Sequence, residues 1–165
     1  MRRATKIALA TSGLLVAAAA AAGLLGGGHQ AADSKVLVNR IWVDNLPTRD
    51  TDHFELLVIV TEEPVGMFRR SSSFEGSYAL FRYELGDGNK LQLLFPQDKS
   101  KHQVKYEARA CDVKDFDYCL DLTGAPRGAK KYLSRKEWEL EGGDANELQH
   151  QLDEWVEQNV PHAEE

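Results

Sequence analysis

The chain lacks the short motifs that usually reveal chemistry. No H-x-H or H-E-x-x-H spacing marks a metal site, no serine sits in a G-x-S-x-G elbow, and no glycine-rich phosphate loop follows a strand. Cysteine is scarce: Cys111 and Cys119 are the only two thiols in 165 residues, and the reactive C-x-x-C spacing is absent. Asp112, Asp115, Asp117 and Asp121 surround that pair with negative charge, which opposes thiolate formation. Without a neighbouring histidine, two thiols also make a poor metal site. The five histidines are scattered; only His53, after Asp50-Thr51-Asp52, stands in a carboxylate–imidazole cluster. A hydrolase or metal enzyme would have to be centred there, and a catalytic constellation needs more convergent groups than one turn supplies. The sequence therefore reads as non-catalytic, with no cofactor.

Basic charge is also in deficit once the N-terminus is set aside. Residues 1–28 read as a signal peptide or an N-terminal membrane anchor: Arg2, Arg3 and Lys6 precede Ile7–Leu25, 19 residues without a charge. As a helix that run would reach about 28 Å, just enough for a bilayer core. Its alanine-rich composition and the small residues before Gly28 favour cleavage. No cysteine follows the run, which excludes a lipid-modified N-terminal thiol, and Ala4-Thr5-Lys6 replaces the apolar residues expected after a twin-arginine pair. Loss of the three basic residues takes the formal charge from −6 to −9. An acidic body argues against nucleic acid, and membrane contact is expected only through residues 7–25 if uncleaved. The expected location is the periplasm, envelope or secreted fraction. Residues 29–35 read as a flexible lead-in, 36–161 as one domain and 162–165 as an acidic tail.

From Val36 onward the dominant period is two. Val104, Tyr106, Ala108 and Ala110 share one face of a strand, with Lys105, Glu107 and Arg109 on the other. Tyr78–Phe95 reads as a hairpin around Gly86-Asp87-Gly88-Asn89, closed by Pro96. Phe54–Val60 is apolar almost throughout, as expected of a strand covered on both faces. Val36–Val43, an edge strand at Met67–Ser72, Tyr118–Leu122 and Ala129–Leu140 complete seven or eight strands. Their spacing predicts a mainly β fold, a small antiparallel up-and-down barrel or sandwich. One amphipathic helix follows at 145–160, with Asp144 and Glu147 as a capping box and Leu148, Leu152, Trp155, Val156 and Val160 on one face. That stripe is expected to dock on the domain's own β-structure.

The cysteines test the register. A turn centred near Asp115 would place 111 opposite 119, 109 opposite 121 and 110 opposite 120. This pairs thiol with thiol, Arg109 with Asp121 and Ala110 with Leu120, so a Cys111–Cys119 disulfide is expected in an exported chain.

Eight strands followed by a helix resemble the outline of the lipocalins. Asn39-Arg40-Ile41-Trp42 lacks the glycine that layout shows near its early tryptophan, and no site residues carry over. Two functions follow from the residues themselves. In the first, an exported binding protein holds a small apolar ligand inside the β-structure, against Phe81, Tyr83, Tyr106 and Trp138. In the alternative, the core is filled and the protein is a structural or interaction module of the envelope. Its contact surface would then be the basic stretch of Arg127, Lys130, Lys131, Arg135 and Lys136, or the acidic helix. The segment Glu137–Glu165 holds ten acidic residues and no Lys or Arg.

Overall fold

The computed structural model describes residues 34–72, 76–142 and 145–161. Residues 1–33, Asp144 of the expected capping box and the tail 162–165 lie outside them. Eight antiparallel strands close into an up-and-down barrel: β1 (Arg40–Val43), β2 (Phe54–Val60), β3 (Val65–Ser71), β4 (Gly76–Gly86), β5 (Lys90–Phe95), β6 (Ser100–Val113), β7 (Phe116–Thr123) and β8 (Lys131–Ser134). Each strand pairs with its sequence neighbour, and β8 returns to β1. A helix, α1 (Ala145–Asn159), lies outside the barrel. No helix among the described residues is long and apolar enough to cross a membrane.

Alternation divides the side chains into two cores. Trp42, Leu57, Ile59, Phe68, Phe81 and Phe95 point inward and form the lumen cluster. The opposite phase of β1 and β2 (Ile41, Val43, Phe54, Leu56 and Val58) points outward and is covered by Leu152, Trp155 and Val160 of α1. Strand β2 is apolar in both phases because it is the wall between the two cores. The helix thus docks on its own barrel, as its stripe implies.

Closure changes several expected boundaries. The segment expected to be an edge strand at 67–72 is interior, because a closed barrel has no edge. Strand β1 begins at Arg40 and not at Val36. A helical turn over 34–37 precedes it, and Asn39 makes the break at φ 52°, a left-handed conformation that Asn tolerates. The Asn39 side chain fixes that bend: its Oδ1 accepts from Thr61 N at 2.9 Å and its Nδ2 donates to Thr61 Oγ1 at 2.9 Å. At the other end of the chain, the long strand expected over 129–140 shortens to Lys131–Ser134. A 3₁₀ turn, Lys136–Trp138, follows and drops Trp138 into the outer core.

The disulfide is present: Cys111 and Cys119 are joined, their Cα atoms 5.7 Å apart. The expected register is corrected by two residues. Arg109 faces Cys119, Ala110 faces Tyr118 and Glu107 faces Asp121. The physical cause is a bulge between Ala110 and Val113, beyond which Val113 faces Phe116 and Asp115 turns at φ 67°. A slip of two preserves the facing of every side chain. The Cys111–Cys119 and Arg109–Asp121 contacts therefore survive as diagonals, Arg109 Nη1 reaching Asp121 Oδ2 at 2.7 Å, while Leu120 faces Ala108 in place of the expected Ala110.

Candidate functional site

The expected ligand-binding lining lies partly in the lumen. Phe81, Tyr83 and Tyr106 do converge inside the barrel. They are packed against other side chains: Phe68 and Phe81 lie 5.0 Å apart between ring centroids, and Phe81 and Phe95 5.9 Å apart. Trp42, Phe81, Phe95 and Tyr132 are each at most 1% exposed. A Cβ on Gly66 would collide with the Phe81 ring, so glycine is what lets the wall of β3 approach it. Tyr83 donates its hydroxyl proton to Val60 O at 3.0 Å, and burial pushes its pKa up.

Both ends of the barrel are covered by the chain itself. At one end the turn over 34–37 lowers Leu37 into the lumen cluster, where it is wholly buried, and Trp42 Nε1 donates to Leu37 O at 2.9 Å. At the other end the β7–β8 loop packs Ala125 and Ala129 on the core, and Ala129 N donates to Tyr132 Oη at 2.7 Å. Gly128, at φ 79°, lies so close to Phe68 and Tyr132 that a Cβ would clash with both.

Trp138 departs from the expected lining. It stands outside the barrel, 5.1 Å from Trp155 and 5.9 Å from Phe116 between ring centroids. The 3₁₀ turn after Arg135 breaks the alternation that would have carried it inward.

Four of the five basic residues of the expected contact stretch, Arg127, Lys130, Lys131 and Arg135, have different roles. Arg127 bonds to Asp98 at 2.7 Å and covers the Phe95 ring at 4.3 Å, so it closes the lumen. Hydrogen bonds from Ser100, with Arg127 nearby, hold the Asp98 carboxyl below its usual value. Arg135 Nε donates to Asp115 O at 2.8 Å, and its guanidinium lies 5.1 Å from the Trp138 ring centroid. Lys130 and Lys131 are exposed and, among the described residues, make no ion pair; Lys131 faces Asp121 across the strands.

His53 lines a shallow pocket with Arg70, Gly76 and Ser77 at the barrel end that carries the β1–β2 loop. Its neighbour Asp52 is committed elsewhere: it accepts from Arg49 Nη2 at 2.8 Å and from Thr48 N at 3.1 Å, which lowers its pKa to about 2. Among the described residues, no group of three His, Cys, Asp or Glu is arranged to hold a metal ion.

Sequence reasoning missed the groups gathered just inside that same end. Glu55 is in the inward phase of β2, two residues before Leu57, and faces Arg70 on β3. Asp44 follows Trp42 in the inward phase and its Oδ1 accepts from Glu55 N at 2.7 Å. Desolvation raises the pKa of Asp44, and desolvation with the Asp44 charge raises that of Glu55; Arg70 opposes both. Tyr132, also raised by burial, feels the same two carboxylates. The signal was available: Glu55 is the one charge in FELLVIV. This rim can hold and release protons, but Asp44 is occupied by the backbone and Tyr132 by Ala129.

Comparison with protein-family models, with curated proteins and with solved structures finds no match to this chain.

Proposed function

We propose that the protein is an exported, non-catalytic interaction module: a filled, disulfide-pinned barrel that works through its outer surface. The observation that carries this reading is the lumen. A carrier of small apolar ligands needs free space among Phe81, Tyr83 and Tyr106. Here the rings of Phe68, Phe81 and Phe95 pack on one another, with Leu37 at one mouth and Ala125, Ala129 and Arg127 at the other. Among eight-stranded barrels both filled and ligand-holding interiors occur, so packing decides between them. The disulfide fits an oxidising, extracytoplasmic location and supports export together with the basic-then-apolar leader.

The contact surface is the outer face of β4–β6. Tyr78 and Leu80 are 72% and 46% exposed there, next to the row of Arg82 and Lys101, with Lys105 further along the same outward face. Aromatic, aliphatic and guanidinium groups together are typical of surfaces that bind protein. The test is a native mass spectrum of the protein purified from the exported fraction, followed by a denatured spectrum of the same sample. The denatured mass reports leader removal and the two hydrogens lost on disulfide formation. A native mass made of polypeptide alone, single or multiple, is the expected result. A discrete small-molecule mass held by the native protein would restore the carrier reading.

A further inference from the structure

The outer face of β4–β6 carries a conspicuous local cost. Arg82 and Lys101 flank Leu94 in one cross-strand row, and Lys90 and Lys105 face each other directly in another. Like charges directly opposite on neighbouring strands are destabilising. Among the described residues none of these four cations makes an ion pair; the ion-paired cations are Arg40, Arg49, Arg109, Arg127, Arg135 and His150. Glu84 is the one carboxylate in the row between them, opposite Gln92, so the four cations outnumber it, and in a chain whose body is strongly acidic this face suits an anionic partner.

A matching anionic surface lies on the opposite wall of the same barrel. Helix α1 covers β1 and β2, which are diametrically across from β4–β6 in a closed eight-strand order. Between α1 and the segment after β8 runs an open groove lined by Trp138, Leu140 and Trp155 and by Glu137, Glu139, Glu141, Glu147 and Glu154, which outnumber its cations Arg135 and His150, the latter 3.3 Å from Glu154. From Glu137 to Glu157 there are eight acidic residues and no Lys or Arg. A face with a net excess of cations beside Leu80 and Leu94 on one wall meets an apolar groove with a net excess of carboxylates on the other.

Resting on the interaction-module reading and naming its partner, we infer that this partner is a second copy of the chain. The cationic β4–β6 face of one molecule docks on the acidic α1 groove of the next. The two surfaces are different and lie on opposite walls, so the contact is head-to-tail and does not close on itself as a two-fold dimer would. The product is a linear array that lengthens with concentration.

Light scattering with size separation of the purified exported protein tests this. At about 0.1 M salt, where the Debye length is about 10 Å, the long-range repulsion between acidic bodies is screened while contact pairs persist. The mass should pass the dimer value and keep rising with concentration. At about 1 M salt, where the Debye length falls to about 3 Å, it should return to the monomer. The double variant R82E/K101E and the double variant E147K/E154K should each remain monomeric. Mixing the two, which restores opposite charges at every contact, should restore growth; that recovery also shows that both variants are folded. A wild-type mass fixed at the monomer at all concentrations overturns self-assembly but leaves the module reading standing. A mass that stops at the dimer overturns the head-to-tail geometry, and growth unaffected by either charge reversal overturns the assigned surfaces. A small molecule retained in the native mass spectrum would instead count against the module reading itself.

Discussion

Glu55 shows how one residue can carry information that the rest of its strand hides. Its carboxylate is held in the inward phase of a wall strand, with one oxygen, Oε2, buried and without a hydrogen-bond partner. Desolvation and the nearby Asp44 charge raise its pKa above the ordinary 4.5, so the folded state binds the proton more tightly than the unfolded chain. The linkage follows directly: between the two pKa values folding takes up protons, and stability falls as pH rises through the folded value. Above the folded value the full cost of the ionised group is present. E55Q should therefore stabilise the protein at neutral pH by about 1 kcal/mol, the scale of a buried polar atom left unsatisfied. Its advantage over wild type should disappear on acidification below 4.5, where the wild-type carboxyl is protonated as well. Urea midpoints at the two pH values measure this, and an advantage that persists in acid would mean that packing, not ionisation, is responsible. Asp52 titrates with the opposite sign. Its lowered pKa means that the bonds from Arg49 and Thr48 help the fold above the ordinary 3.8 and are lost as pH falls through about 2. The two windows hardly overlap, so the Glu55 effect is readable before the β1–β2 turn loosens.

Among the elements, the β6–β7 hairpin has the largest share of its stability in one covalent bond. The disulfide joins residues eight apart across a bulge that interrupts the ladder. Closing so short a loop in the unfolded chain is worth about 2.5 kcal/mol in the chain-entropy account. Replacing both cysteines by serine should lower the unfolding free energy, read from urea titration, by that amount, with far-UV circular dichroism unchanged; a loss near zero would mean that the hairpin is already ordered in the unfolded chain. The same hairpin shows what alternation makes legible. Period-two facing, the cysteine pair and the Arg109–Asp121 contact were readable, because facing depends only on parity. The register itself was off by two, because a bulge has no signature in polarity. Likewise FELLVIV declared itself as a strand buried on both faces, and the helix stripe declared its own docking. Trp138 was assigned to the lumen because alternation was extended through Arg135, where a side-chain bond to Asp115 O ends the strand. The cationic face of β4–β6 was present in the sequence but dispersed. Arg82, Lys90, Lys101 and Lys105 come from three strands, and only the register of both hairpins brings them together. The contiguous basic run at 127–136 was more visible, yet two of its arginines close the molecule's own cores.

At the scale of the whole molecule the barrel has one weak line. Strands β3 and β4 pair over seven positions and β6 and β7 over a similar length, whereas β1 and β8 are four residues each and meet in a single ladder position, Val43 opposite Leu133. Side chains and the following segment complete the seam. Ser134 Oγ donates to Ile41 O at 2.6 Å, Arg40 Nη1 donates to Arg135 O at 2.6 Å, and Leu140 N donates to Asn39 O at 2.8 Å. Arg40 is itself buried, stacked 4.2 Å from the Tyr118 ring centroid. A closure resting on so few bonds should open without unfolding the rest, since local opening follows the sparsest bonding. Native-state hydrogen exchange should accordingly find the β1 and β8 amides exchanging at lower free energy than those of β3–β6. S134A, which strands the Ile41 carbonyl, should lower the opening energy of the seam amides by about 1–3 kcal/mol. The β4–β5 amides, exchanging only with global unfolding, should shift by no more than the loss in global stability. If S134A lowers every amide equally from a common wild-type value, the seam opens only when the barrel unfolds, and β1 and β8 belong to the same cooperative unit as the rest.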